Sequence, residues 1–314
     1  MLTSFSRFAS ASQDRTIRTW NTSGECMKTL MGHEDSVTCV CFSSDGYLMA
    51  SGSSDENVLV WDAVTGNLLL RLEGHSCHVY SVCFHPNGQT LVSGSYMFES
   101  AIKLWDVRSG TNLQTLTGHK DSILSIRYSN DGRFIASGSC DNTIKIWSHG
   151  SELVNTLIGH TNRVTSVCFN HDDSWLVSSS ADCTLKVWSW ETGSAMFTLT
   201  GHSAVVWCVS VNRDGTLIAS SSRDRTVRIW SVLEGKEVKT LKGHTDSVNC
   251  VQFQRNTSSR DCLGASSLTN ESGNADLLAS GSKDGSIIIW NLSESKVISA
   301  FAAHDQSVEA IAWQ

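Results

Sequence analysis

Residues 118–147 read Gly-His-Lys-Asp-Ser-Ile-Leu-Ser-Ile-Arg-Tyr-Ser-Asn-Asp-Gly-Arg-Phe-Ile-Ala-Ser-Gly-Ser-Cys-Asp-Asn-Thr-Ile-Lys-Ile-Trp. The stretch opens on Gly-His, turns at Asp131-Gly132 and closes on an alternating apolar run that ends in Trp147. Its landmarks recur along the chain. Tryptophan returns at Trp20, Trp61, Trp105, Trp147, Trp188, Trp230 and Trp290, in steps of 41, 44, 42, 41, 42 and 60 residues. Gly-His pairs close at His33, His75, His119, His160, His202 and His244, and an Ala-His at His304. A period of about 40–45 residues with these landmarks is the signature of a propeller of four-stranded blades. In the second blade the strands are expected over Val37–Phe42, Leu48–Gly52, Val58–Trp61 and Leu68–Leu72, with turns of the Asp45-Gly46 type between strands.

The ends of the chain complement each other. Trp20 has at most two strands before it and no preceding Gly-His, whereas His304 is followed by one strand, Ser307–Trp313, and no more. Pairing Ser307–Trp313 with Phe5–Ser10 would supply the missing inner strand of the first blade and leave no open edge. The expectation is therefore one all-β domain over residues 1–314, a seven-bladed ring closed by its own termini. The polar segment from Gln254 to Asp276 falls between the first two strands of the seventh blade and reads as a disordered loop. A two-residue insertion distorts the third blade around Tyr96–Glu99.

Composition narrows the function. A net charge of −7 argues against a general phosphate-binding face, so no direct nucleic-acid contact is expected. No long apolar run suggests a membrane span, and residues 1–10 lack the apolar segment of a secretory signal. An intracellular, cytoplasmic or nuclear, setting follows as the expectation. The eleven cysteines then read as reduced thiols. Cys39, Cys208 and Cys250 lie six residues after their repeat's His, and Cys41, Cys83 and Cys168 eight after. They are repeated strand positions without zinc-ligand spacing, so neither a metal nor another cofactor is expected.

His, Ser, Asp and Trp recur together at fixed spacing, Asp four residues after Ser and six before Trp. The sets are His33, Ser51, Asp55, Trp61; His119, Ser137, Asp141, Trp147; and His160, Ser178, Asp182, Trp188. They continue with His202, Ser220, Asp224, Trp230 and with His244, Ser280, Asp284, Trp290; across the termini His304 joins Ser10, Asp14 and Trp20. A catalytic triad is needed once, not in every repeat, so these groups are assigned to a buried network that ties turns to strands. No off-register acid or nucleophile marks a reaction centre. A propeller enzyme is thus the weaker alternative, and no catalytic residue is assigned.

Over all seven blades the chain resembles the WD-repeat (WD40) β-propeller family, including its Asp-His-Ser-Trp network. In the third blade Glu99 stands where the family has Asp, and Ser93 lies six residues before it, so that blade's network is left open. The resemblance implies a top face, carrying the turns after Gly-His and between the second and third strands, where protein or peptide partners dock. Positions three after each His read Ser36, His78, Ser122, Arg163, Val205, Ser247 and Ser307; five after, Thr38, Tyr80, Leu124, Thr165, Trp207, Asn249 and Glu309. Those one before the turn acid read Gln13, Ser54, Phe98, Cys140, Ala181, Arg223 and Lys283. Tyr80 and Trp207 break the pattern and should face each other across the channel, as aromatic anchors do. Two such rings resemble the pair that sandwiches an arginine in the WD-repeat subunit of histone-methyltransferase complexes. Arg163, Arg223 and Lys283 would repel that guest and could select an acidic peptide instead, and simple plugging of the channel is the third reading. His78, Phe98 and Leu124 complete the candidate surface. Trp105-Asp106-Val107-Arg108 resembles the box by which some family members dock on a cullin–RING ubiquitin ligase adaptor, which makes a substrate receptor the alternative. The function expected is a non-catalytic scaffold, a monomeric propeller within a larger complex.

Overall fold

The computed structural model describes residues 7–96, 99–254, 277–294 and 296–314. Among these the chain forms twenty-eight strands and no helix, arranged as seven four-stranded antiparallel sheets. In the second blade the strands are Val37–Phe42, Leu48–Ser53, Val58–Asp62 and Leu68–Leu72, in that order outward. The proposed loop lies outside the described residues except for Gln254.

Burial grades along each blade. The second strand, such as Phe134–Ser139, is buried at nearly every residue, whereas the outer strand, such as Asn112–Thr117, buries only Leu116. Strands this short cannot sequester both faces of a single sheet, so stability comes from blade on blade. Small residues in the second strand permit that approach. A Cβ at Gly52 would lie 2.6 Å from Val79 Cγ1 in the next blade, inside contact distance.

The termini close the ring. Val308–Trp313 pairs antiparallel with Arg7–Ser12, with Phe8 opposite Trp313 and Ala9 opposite Ala312. The first blade is therefore ordered Val308–Trp313, Arg7–Ser12, Thr16–Asn21, Cys26–Met31. The Phe8 and Trp313 rings pack at 5.0 Å between centroids, and both are buried. The expected hairpin chemistry is also present. Gly46, Gly88, Gly132 and Gly215 all adopt positive φ between 71° and 76°, where residues with a Cβ are strained.

Candidate functional site

The repeated polar set is a relay of hydrogen bonds. In the fourth blade Trp147 Nε1 donates to Ser137 Oγ at 2.9 Å, and Ser137 lies 2.8 Å from His119 Nε2. His119 Nδ1 lies 2.8 Å from Asp141 Oδ2, which also accepts the Lys120 amide at 3.0 Å. One consistent assignment has Trp donating to Ser, Ser to His, and His to Asp. Each histidine is buried and each member satisfied, so the set holds the top turns to the second strand. Asp55 shows the electrostatic result. Burial alone would raise its carboxyl, but the His33 bond and the backbone amides of Glu34 and Asn57 hold it down at about 2.

Two blades depart from the common form. The third, left open on sequence, has a complete network. Glu99 Oε2 lies 2.7 Å from His75 Nδ1, Ser93 Oγ 2.6 Å from His75 Nε2, and Trp105 Nε1 donates to Ser93 at 2.8 Å. The extra methylene of glutamate carries the carboxylate across the longer turn. In the seventh blade His244 Nδ1 is 3.7 Å from Asp284, so the direct contact expected there is relaxed. Ser286 takes its place, 2.9 Å from His244 Nδ1 and donating to Asp284 Oδ1 at 2.5 Å.

One backbone bond recurs in the turns of the top face. In each blade a backbone amide just past the second strand donates to the carbonyl of the residue three after His, as in Ser54 to Ser36 and Arg223 to Val205. In the third blade this donor is Tyr96, bonded to His78 O at 2.9 Å. Tyr96, not Phe98, is thus the equivalent of Ser54 and Arg223, because the two extra residues follow this bond. Phe98 itself lies outside the described residues. Tyr96 was missed by counting back from the acid; the insertion beside it was the available signal.

All seven residues five after His line a central cavity of about 790 Å³. Tyr80 and Trp207 are both half-buried in that wall, and Leu124 shares it. Each ring already has a partner. Tyr80 packs on Tyr96 at 4.9 Å between centroids, and Tyr96 stacks on His78 at 6.4 Å and 16°. Trp207 Nε1 donates to Ser247 Oγ of the next blade at 3.0 Å, and the Arg163 guanidinium lies 5.5 Å above its ring. Arg223, Lys283 and His78 are exposed, whereas Ser122, Ser247 and Ser307 of the first position set are buried, which corrects their placement on the open surface. Trp105 is buried and Asp106 accepts the Ser109 amide and hydroxyl at 2.6 and 2.7 Å, leaving Arg108 as the exposed member of that box. Among the described residues no group of three or more His, Cys, Asp or Glu side chains could hold a metal ion.

A closed ring of seven antiparallel blades, pinned by one repeated Trp–Ser–His–carboxylate relay, defines a repeat propeller. The chain belongs to the WD40 family: the WD domain, G-beta repeat matches residues 24–62, 66–106, 110–148, 151–189, 193–231 and 235–291. Segments are similar to three relatives. An uncharacterised WD repeat-containing protein of Schizosaccharomyces pombe is 48% identical over 52 residues, 16% of this chain and 14% of that protein. Nuclear distribution protein nudF 1 of Talaromyces marneffei is 37% identical over 54 residues, 17% and 12%. Protein Mut11 of Chlamydomonas reinhardtii is 54% identical over 41 residues, 13% and 11%. The matched segments thus span a small fraction of each relative's length.

Proposed function

We propose that this protein is a non-catalytic interaction scaffold that seats a protein or peptide segment on its top face. The observation that carries this reading is the cluster of Tyr80, Tyr96 and His78 on the third blade, half-exposed or exposed, with Tyr96 stacked on His78 and meeting Tyr80 at a tilt. Rigid aromatic side chains beside a polar rim supply large contact area at small entropic cost. Family membership supports the scaffold role. The arginine-sandwich reading is the less favoured one, because Arg163 of this chain already occupies a face of Trp207. Affinity capture with Tyr80→Ala, Tyr96→Ala and Trp207→Ala tests the proposal. Loss of partners from these variants, with the fold retained, supports it; an unchanged partner set sinks it.

The ligase-receptor reading rests on Arg108, which stands exposed in a turn fixed by Asp106. Its test is co-purification with a cullin–RING adaptor, abolished by Arg108→Ala. A catalytic role would require turnover of a substrate by the purified protein.

A further inference from the structure

Below the mouth, the cavity carries a charge that the repeat does not explain. The inner-strand position eight residues after His is occupied by Cys41, Cys83, Cys168, Ser210, Gln252 and Ala312 in six blades, and by Arg127 in the fourth. Arg127 lines the cavity, and its Nη1 donates to the Ile126 carbonyl at 2.9 Å. Among the described residues no carboxylate forms an ion pair with it. The thiols of Cys83, Cys168, Cys208 and Cys41 lie within its electrostatic reach. A protonated thiol supplies no counter-charge, and burial drives the Cys41 thiol up toward that form. A guanidinium remains charged throughout the accessible pH range and has five donors to satisfy.

Among the described residues the wall carries more cations than acids. Arg127 and Arg163, with Arg213, which has an interaction of its own, stand beside one carboxylic acid, Glu309. This is the reverse of the chain's net −7. Glu309 is no counter-ion for Arg127: it sits at the position five after His, three residues and so about 10 Å higher along the channel. Burial, moreover, raises its carboxyl toward the neutral form. A low-dielectric channel lined by one sign of charge concentrates the opposite ion. Other donors share the Arg127 layer. Ser210 Oγ accepts the Phe253 amide at 3.1 Å, which leaves its own proton to donate, and the Gln252 carboxamide lies three blades away on the opposite wall. A cavity of about 790 Å³ has the size of a small-molecule site.

We propose that the central cavity binds a small oxyanion, a free carboxylate- or phosphate-bearing molecule whose charged group is held by Arg127 with Ser210 and Gln252. A protein segment is the poorer occupant, because it would have to pass the side chains of Tyr80, Leu124, Thr165 and Trp207, which line the layer above. The site is independent of top-face docking, and its failure would leave the scaffold reading untouched.

Isothermal titration of the full chain with inorganic phosphate and, separately, with citrate tests this, ionic strength being held constant with sodium chloride. Saturable one-to-one binding of at least one probe is expected, and which probe binds distinguishes phosphate from carboxylate ligands. Arg127→Gln, which installs the seventh blade's residue at the same register, should weaken binding at least tenfold. Gln252→Ala should weaken it several-fold and serves if the first variant does not fold. Arg133→Gln, on the exposed surface, should change nothing. The absence of saturable binding to the native protein, or unchanged affinity in the folded channel variants, overturns the proposal.

Discussion

Removing the charge of Glu99 while keeping its shape, by Glu99→Gln, isolates the contribution of the third blade's carboxylate. Burial opposes its ionisation, yet the His75 bond and charge and the Lys103 ammonium at 2.9 Å hold it at about 2, below its ordinary 4.5. That displacement corresponds to about 3 kcal/mol of preference for the ionised, bonded form, which solvent at its outer edge trims to about 2. Urea unfolding at pH 7 should therefore show a loss of about 2 kcal/mol with unchanged m, and calorimetry a fall in Tm of about 3 °C for a chain of this size. Because the folded value is depressed, the contribution is complete above the unfolded value and vanishes as pH falls through the folded one. The gap between native protein and variant should accordingly narrow when urea unfolding is repeated between about pH 5 and 3.5. Glu99→Asp should be destabilising as well, since the shorter side chain withdraws from His75. A Glu99→Gln loss under about 0.5 kcal/mol, or a Glu99→Asp protein as stable as the native one, would refute the idea that the longer side chain bridges the insertion.

Two further outcomes are expected. Gly52→Ala places a methyl group against Val79 Cγ1 at 2.6 Å and Cys39 Sγ at 2.8 Å, both in packed strands, and should cost about 1–3 kcal/mol in denaturant unfolding. Stability should also vary with pH on both sides of neutrality. His244 and His304 titrate below the ordinary histidine value, chiefly through burial, so the unfolded chain takes up protons first. The unfolding free energy should thus fall as pH drops below about 6.5, by about 1.4 kcal/mol per pH unit for each proton excluded. Burial of Cys39, Cys140 and Cys250 raises their thiols, which stabilises the fold below the unfolded thiol value and produces a loss above about pH 9. Chemical denaturation from pH 4.5 to 10 reads both limbs; a flat profile would contradict the burial of these groups.

Much of the architecture was legible because repetition supplies its own control. One His, Ser, Asp or Trp says little, but the same four at constant spacing fix strand order and register. The deficits at the two ends sufficed to pair Ser307–Trp313 with Phe5–Ser10, whereas the observed strands are Val308–Trp313 and Arg7–Ser12, two residues further along at the amino end. What spacing does not encode is contact between blades. Arg163 above Trp207, and Trp207 bonded to Ser247, join residues some 40 positions apart through side-chain conformations that no periodicity specifies. Insertions mislead in a related way. Counting back from Glu99 selected Phe98, while the backbone bond to His78 selects Tyr96, because an insertion shifts the count but not the hydrogen bond. Ser286 shows a third limit: a hydroxyl at a turn position is unremarkable in sequence, and only geometry reveals it between His244 and Asp284.

The pairing of Val308–Trp313 with Arg7–Ser12 also sets the order in which the protein can become native. The bond between Ser10 and His304 spans 294 positions, so three strands of the first blade wait with an unpaired edge until that distant strand arrives. Contacts of such sequence separation are formed late and slowly, since loop-closure entropy precedes any gain from pairing. During that interval the Arg7–Ser12 edge is a template for strands of other chains. Once the seam is shut, the same separation works in the opposite sense. Opening of the ring at this seam should register as hydrogen exchange in the first blade, and exchange there no faster than in the other blades would contradict it.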